Sequence, residues 1–273
     1  MNKYLLLLPL FLVISSNLFS QPLVDAHVHY NDSNRDIYSP EQIISIFEKN
    51  NISQAFVTAM PAQNAATLYQ TDADRIIPFL GVYKQPQDKQ NWHQDTSLPD
   101  YIEKQLEDGP WRGIGELHIF AKDRHSPVLH RLIQLAAQHK LPLLMHSDPA
   151  VIDTIYETEP GVTVIWAHAG AYPYPDLLDD YLQRYPELYV DVSVRNDRIA
   201  PNGQLADKWY NLFIQHPERF LVGVDTYSTQ RWGNYHAEAA LLRQWLKQLP
   251  SDVADRLAYR NAERLLTHQD RSK

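Results

Sequence analysis

Eight short apolar runs, separated by stretches of helical periodicity, limit the possible folds of this chain more than any other feature. They span residues 23–29, 54–60, 75–83, 111–118, 141–146, 162–168, 188–194 and 219–225. Each is rich in Val, Ile, Leu or aromatic residues and ends at turn residues, the pattern of a strand buried on both faces. The stretches between them read as helices. Ser126-Pro127 provides a cap and a proline at the first helical position, and Leu129, Leu132, Ile133 and Ala136 then share one face. Leu241, Leu242, Trp245, Leu246 and Leu249 form a second apolar stripe. Strands alternating with helices imply a parallel sheet with right-handed crossovers. Eight such units in about 250 residues is the usual size of a (β/α)8 TIM barrel. An open, doubly wound sheet would need fewer strands, and no glycine-rich phosphate loop follows the first run. Residues 85–97 are polar and read as a long loop after the third strand.

The first twenty residues have a different character. Lys3 gives a positive start, residues 4–14 are almost wholly apolar, and Ser15, Ser16 and Asn17 are small and polar. This is the layout of a secretory signal peptide with cleavage near Ser20, followed by one barrel domain over 21–273. The apolar block is too short for a stable membrane span. The expected location is therefore the periplasm or the exterior. The chain has no Cys, so neither a disulfide nor a lipid-bearing cysteine is available. The net charge of −8 does not favour a nucleic-acid partner, for which a basic stripe is expected. A small-molecule substrate is expected instead, and the oligomeric state is not readable.

Polar residues gather at the carboxyl ends of the runs. His27 and His29 end the first, Glu116 and His118 the fourth, His146 the fifth, His168 the sixth and Asp225 the eighth. In a β/α barrel these ends converge on one mouth. Alternation along a strand sends His27 and His29 to the same side, where two imidazoles can bind one metal. His146 and Asp225 can complete the shell and leave a position for water. Each residue also has a plainer reading. His118 reads equally well as an ordinary hydrogen-bonded histidine, Asp225 as a helix cap, and Glu116 as an ion-pair partner of Arg112 or Arg124. The coincidence of so many donors at one end of the barrel favours a site.

Several segments resemble the amidohydrolase superfamily in its amidohydrolase-related branch. Asp25-Ala26-His27-Val28-His29 resembles the opening signature. Residues 143–148 resemble the strand-five His segment, 166–170 the strand-six His segment, and Gly223-Val224-Asp225 the strand-eight Asp. Residues 261–265 are similar to the closing helix of that branch. Glu116, within Gly113-Ile114-Gly115-Glu116-Leu117, resembles the strand-four Glu of TatD-like hydrolases, which bridges two metals. Many members of the superfamily carry a carboxylated Lys there, and the branch usually has Ser where this chain has Val224.

The resemblance implies a distorted barrel in which His27, His29, His146 and Asp225 bind zinc or manganese. One or two ions are implied, with Glu116 as the bridge. His168 would bind the second metal or polarise the substrate. Asp225 would take a proton from a metal-activated water, and His168 would help stabilise the oxyanion. Lys84, His118 and Arg195 follow or end strands and are candidates for substrate binding, with an anionic group suited to Lys84 and Arg195. Trp232 is expected to be an exposed loop residue. The leading expectation is a hydrolase acting on an amide, lactone or ester. The alternatives are a carbon–carbon lyase of the decarboxylase kind, a TatD-like nuclease, a metal-free lactonase and a non-catalytic periplasmic binding barrel.

Overall fold

The computed structural model describes residues 21–270; the expected signal peptide over 1–20 lies outside the described residues. Eight parallel strands follow one another around the barrel in sequence order. They are β1 (Leu23–His29), β2 (Ile52–Thr58), β3 (Ile76–Leu80), β4 (Gly113–Ile119), β5 (Leu143–Ser147), β6 (Val164–Trp166), β7 (Leu188–Asp191) and β8 (Phe220–Leu221). The seam between β8 and β1 is closed by backbone hydrogen bonds, Ala26 N–H to Val222 O at 2.9 Å and Asp225 N–H to His27 O at 2.8 Å. The fold is the TIM barrel expected from the alternating pattern. All eight runs become strands because each is apolar enough to be covered on both faces.

Two apolar layers hold the barrel together. The outer one lies between strands and helices and includes Leu23, Val28, Val57, Leu117, Met145 and Val190. The inner one fills the barrel interior with Val24, Ala26, Phe56, Ile77, Phe79, Leu144, Ile165 and Leu221. Ala262, Leu265 and Leu266 of the closing helix Asn261–Asp270 join this inner layer and form its floor. Helix Pro127–Gln138 starts as expected, with the Ser126 hydroxyl accepting from the N–H groups of Val128 and Leu129. The segment 85–97 is not a featureless loop. It contains two short 3-10 turns, and Trp92 within it is buried and donates its indole N–H to the carbonyl of His118 at 2.9 Å.

Strict alternation fails in two places that matter. The register of β1 against β2 shifts between Asp25 and Val28, and that of β4 against β5 shifts between Gly115 and Leu117. An extra residue in one strand re-aims the next side chain. Ala26 therefore packs in the inner layer while its neighbour His27 joins the polar cluster at the mouth. The shift in β4 does the same for Glu116.

Candidate metal centre at the barrel mouth

Six side chains from five strands or their ends meet above the inner layer. His27 and His29 come from β1, Glu116 from β4 and His146 from β5. His168 and Asp225 lie just beyond β6 and β8, on backbone with φ of 59° in each case. The expected strands over 162–168 and 219–225 are thus shorter than their apolar runs. The left-handed turn lifts each side chain out of the ladder and points it into the mouth. Of the seven non-glycine residues with positive φ among the described residues, His168, Ala169, Val194 and Asp225 all lie around this site. Such backbone costs about 1–3 kcal/mol per residue and persists where surrounding contacts over-determine it.

Glu116 is the centre of the arrangement. Its Oε1 lies 2.9 Å from His146 Nδ1 and 3.3 Å from His168 Nε2. Its Oε2 lies 3.3 Å from His29 Nε2, 3.5 Å from His118 Nε2 and 3.8 Å from His27 Nε2. One carboxylate thus faces two separate imidazole groups. Asp225 Oδ1 lies 3.4 Å from His29 Nε2 and 3.8 Å from His27 Nε2. Three sets place a ligand atom from each member within 4.8 Å of the others: His27–Glu116–His168, His27–His29–Asp225 and Glu116–His118–His146.

A divalent cation fits these residues on two observations. Asp225 Oδ1 is buried and has no hydrogen-bond partner among the described residues. Leaving a buried carboxylate oxygen unpaired is costly unless a cation satisfies it. The Nε2 atoms of His27 and His29 also face each other at 3.2 Å, as two donors aimed at one position do. The charge balance agrees. Burial opposes a charged His27, yet the carboxylates of Asp225, Glu116 and Asp191 outweigh it and hold the ring well above its usual range. Burial likewise opposes the charge on Glu116, but the facing His27 and hydrogen bonds from His146 and His168 hold it well below the usual carboxyl range. The ionised carboxylates of Glu116 and Asp191 give the cluster buried negative charge that a cation would balance.

Asp191, at the end of β7, was not singled out in the sequence, and it orients two of the imidazoles. It is fully buried, and its Oδ2 accepts from His27 Nδ1 at 2.7 Å. The Ser193 hydroxyl donates to the same oxygen at 2.6 Å, so its oxygen accepts from His168 Nδ1 at 2.9 Å. Both rings thereby give their Nδ1 proton to Asp191 or Ser193, which leaves Nε2 as the nitrogen that would face a bound cation. Burial opposes a charge on Asp191 too, and the adjacent His27 overcomes it and keeps the carboxyl ionised. The only signal in the sequence is Asp191-Val192-Ser193 at the end of a strand. Asp191→Asn should weaken metal affinity by about 10–100-fold with the fold intact. Metal titration alongside circular dichroism checks this, and an unchanged affinity would refute the orienting role. Gly223 leaves room for the same pair, since a Cβ there would stand 2.8 Å from the Cβ of His27 and 3.1 Å from Asp191 Oδ1.

The expected substrate contacts fare differently. His118 sits at the mouth, its ring stacked on His146 with centroids 4.2 Å apart. Burial pushes this imidazole down to about 2, so it is neutral. Arg195 does not present a free guanidinium. Its Nε donates to the carbonyl of His168 at 2.7 Å and its Nη2 to that of Gly170 at 3.1 Å, which braces the turn carrying His168. Arg231 does the same for the Asp225 turn, its Nε donating to the Asp225 carbonyl at 2.6 Å. Lys84 is exposed and lies over the Tyr101 ring, 4.3 Å from its centre, rather than reaching the cluster. Trp232 is buried, contrary to expectation, and donates its indole N–H to the carbonyl of His29 at 3.1 Å. Asp25, the first residue of the His27 motif, points away from the mouth. Its carboxylate takes the Tyr235 hydroxyl and the N–H groups of His27 and Val224, and burial pushes it up to about 6.

With this geometry in hand, comparison with known proteins places the chain. The family model described as TatD related DNase matches residues 24–166, just over half of the sequence. No curated protein sequence matches. A TatD homologue from Escherichia coli K12, YJJV, superposes with a TM-score of 0.63 at 14% identity, over 90% of this chain and 98% of that one. An amidohydrolase from Burkholderia multivorans with bound HEPES gives 0.59 at 13% identity, over 90% and 99%. A Xaa-Pro dipeptidase with bound methionine gives 0.52 at 12% identity, over 94% and 80%.

Proposed function

Since the chain belongs to the TatD-related DNase family, and is a metal-dependent hydrolase of the amidohydrolase superfamily, we propose that its mouth holds two divalent ions sharing Glu116 and cleaves a C–N or C–O bond of a small substrate. The observation that carries this reading is Glu116 itself, with one oxygen toward His146 and His168 and the other toward His29 and His27. His27, His29 and Asp225 would hold one ion, and His146 and His168 the other. The nitrogen and carboxylate donor set suits zinc or manganese. When bound, such ions acidify a water and polarise the bond under attack.

The chain's own groups do the rest. Asp225, with its unpaired Oδ1 at the centre, takes the proton of the attacking water and delivers it to the leaving group. Asp191 and Ser193 keep His27 and His168 from turning. Arg195, Arg231 and Trp232 hold the backbone that carries the donors, so the cluster is preorganised.

A small carbonyl substrate is favoured over a polyanion because the arginines flanking the centre are turned inward onto backbone carbonyls. The family match supports a second reading, hydrolysis of a DNA phosphodiester, in which the same residues would hold the ions and the ions would supply positive charge to the phosphate. The family match leaves the expectation that nucleic acid is no partner without support. Among the described residues no helix is long and apolar enough to cross a membrane. The signal-like segment 1–20 supports export to the periplasm or beyond.

The test strips the protein with a chelator, restores zinc or manganese, and assays amides, lactones, esters and single-stranded DNA. Turnover should vanish on stripping and return with metal. Equal rates with and without metal would defeat the proposal. Cleavage of DNA alone would select the second reading, and a decarboxylated product would select a lyase.

A further inference from the structure

We propose that His118 is a neutral N–H donor to the substrate oxygen that gains negative charge, and that Tyr83 sets it in that state. This inference rests on the hydrolytic reading above. The carrying observation is how completely the residue is held. Its backbone N–H donates to the Tyr83 hydroxyl oxygen at 2.7 Å, and its carbonyl accepts the Trp92 indole N–H at 2.9 Å. Its Nδ1 lies 3.2 Å from the same Tyr83 hydroxyl.

The tautomer follows from counting protons. Tyr83 is buried, and among the described residues its hydroxyl meets only the backbone nitrogen and Nδ1 of His118. The backbone nitrogen is a donor, so the hydroxyl oxygen accepts there. The hydroxyl proton then has one acceptor left, the lone pair of Nδ1. A ring that accepts at Nδ1 carries its proton on Nε2. That N–H points to the mouth, 3.5 Å from Glu116 Oε2. His118 is thus set opposite to His27 and His168, whose protons are drawn to Nδ1 by Asp191 and Ser193. Those two rings present lone pairs to a cation. His118 presents a proton.

A side chain with a bound proton on its inward nitrogen is not a metal ligand, even though the Glu116–His118–His146 set satisfies the distances for one. It is suited to an oxyanion instead. Its side chain is 17% exposed, against 3% for Glu116, so a substrate can reach it. Tyr83 is a positioning residue that acts through this ring.

The experiment uses the zinc-loaded protein, its His118→Ala, His118→Asn and Tyr83→Phe variants, and inorganic phosphate as the oxyanion probe. Nitrogen-15 NMR of the wild type should show the His118 proton on Nε2. Zinc content should be the same in all four proteins. Phosphate should bind about 10-fold or more weakly in His118→Ala, with partial recovery in His118→Asn, whose amide also donates. In Tyr83→Phe the ring should lose its single tautomer and phosphate affinity should fall as well. Turnover in His118→Ala should drop on the order of 100-fold, as for loss of one oxyanion donor. Loss of zinc in His118→Ala together with an unprotonated Nε2 would overturn the proposal and make His118 a ligand. Unchanged phosphate affinity would also overturn it. Failure of the hydrolytic reading is seen separately, as a zinc-loaded wild type that turns over no substrate while the tautomer and phosphate results stand.

Discussion

Replacing Asp225 by Asn should lower kcat by about 10²–10⁴-fold, the range spanned by loss of a general base, while the substrate still binds. The side chain is isosteric, so the fold has little reason to change. Its Oδ1 is buried and lacks a hydrogen-bond partner among the described residues. The backbone that presents it is fixed independently by the Asp225 N–H bond to His27 O and by Arg231 on the Asp225 carbonyl. What the substitution removes is the second carboxylate oxygen and its basicity. Steady-state kinetics with equilibrium binding of substrate to the variant provides the check. A kcat within a few fold of wild type would mean that the proton goes elsewhere.

The second large effect is expected at Glu116. Glu116→Gln keeps the size of the side chain but turns an acceptor on both oxygens into one acceptor and one donor. The amide nitrogen must then face either His146 and His168 or His29 and His27, all of which approach within 4 Å. One cation position loses its carboxylate whichever way the amide turns. Elemental analysis should find two metals per chain in the wild type and at most one in the variant, with activity reduced by more than about 100-fold if the bridged pair clamps the reaction. Two metals in the variant would show that Glu116 is not a bridge. A single metal in the wild type would show that the imidazole groups are not both occupied.

The barrel was legible because its strands are covered on both faces, so each reads as an unbroken apolar run. His27, His29, Glu116, His146, His168 and Asp225 were legible because they break those runs at the same end. The lengths of β6 and β8 were not. Val164–Trp166 and Phe220–Leu221 stop early because the backbone turns left-handed at His168 and Asp225, and an apolar pattern carries no sign of φ. Asp191 was hidden for a different reason. Its role depends on lying 2.7 Å from a histidine 164 positions away, a coincidence created by barrel closure. Arg195, Arg231 and Trp232 show the limit of reading direction from loops. A guanidinium or indole after a strand can face outward to substrate or inward to backbone, and here all three face inward.

The floor built by Ala262, Leu265 and Leu266 makes the barrel a cup rather than a tube. Whatever enters past His118 must leave by the same opening, so product departure and the next arrival compete for one doorway. A polymer cannot be threaded through such a vessel and drawn along. It could meet the centre only across the rim.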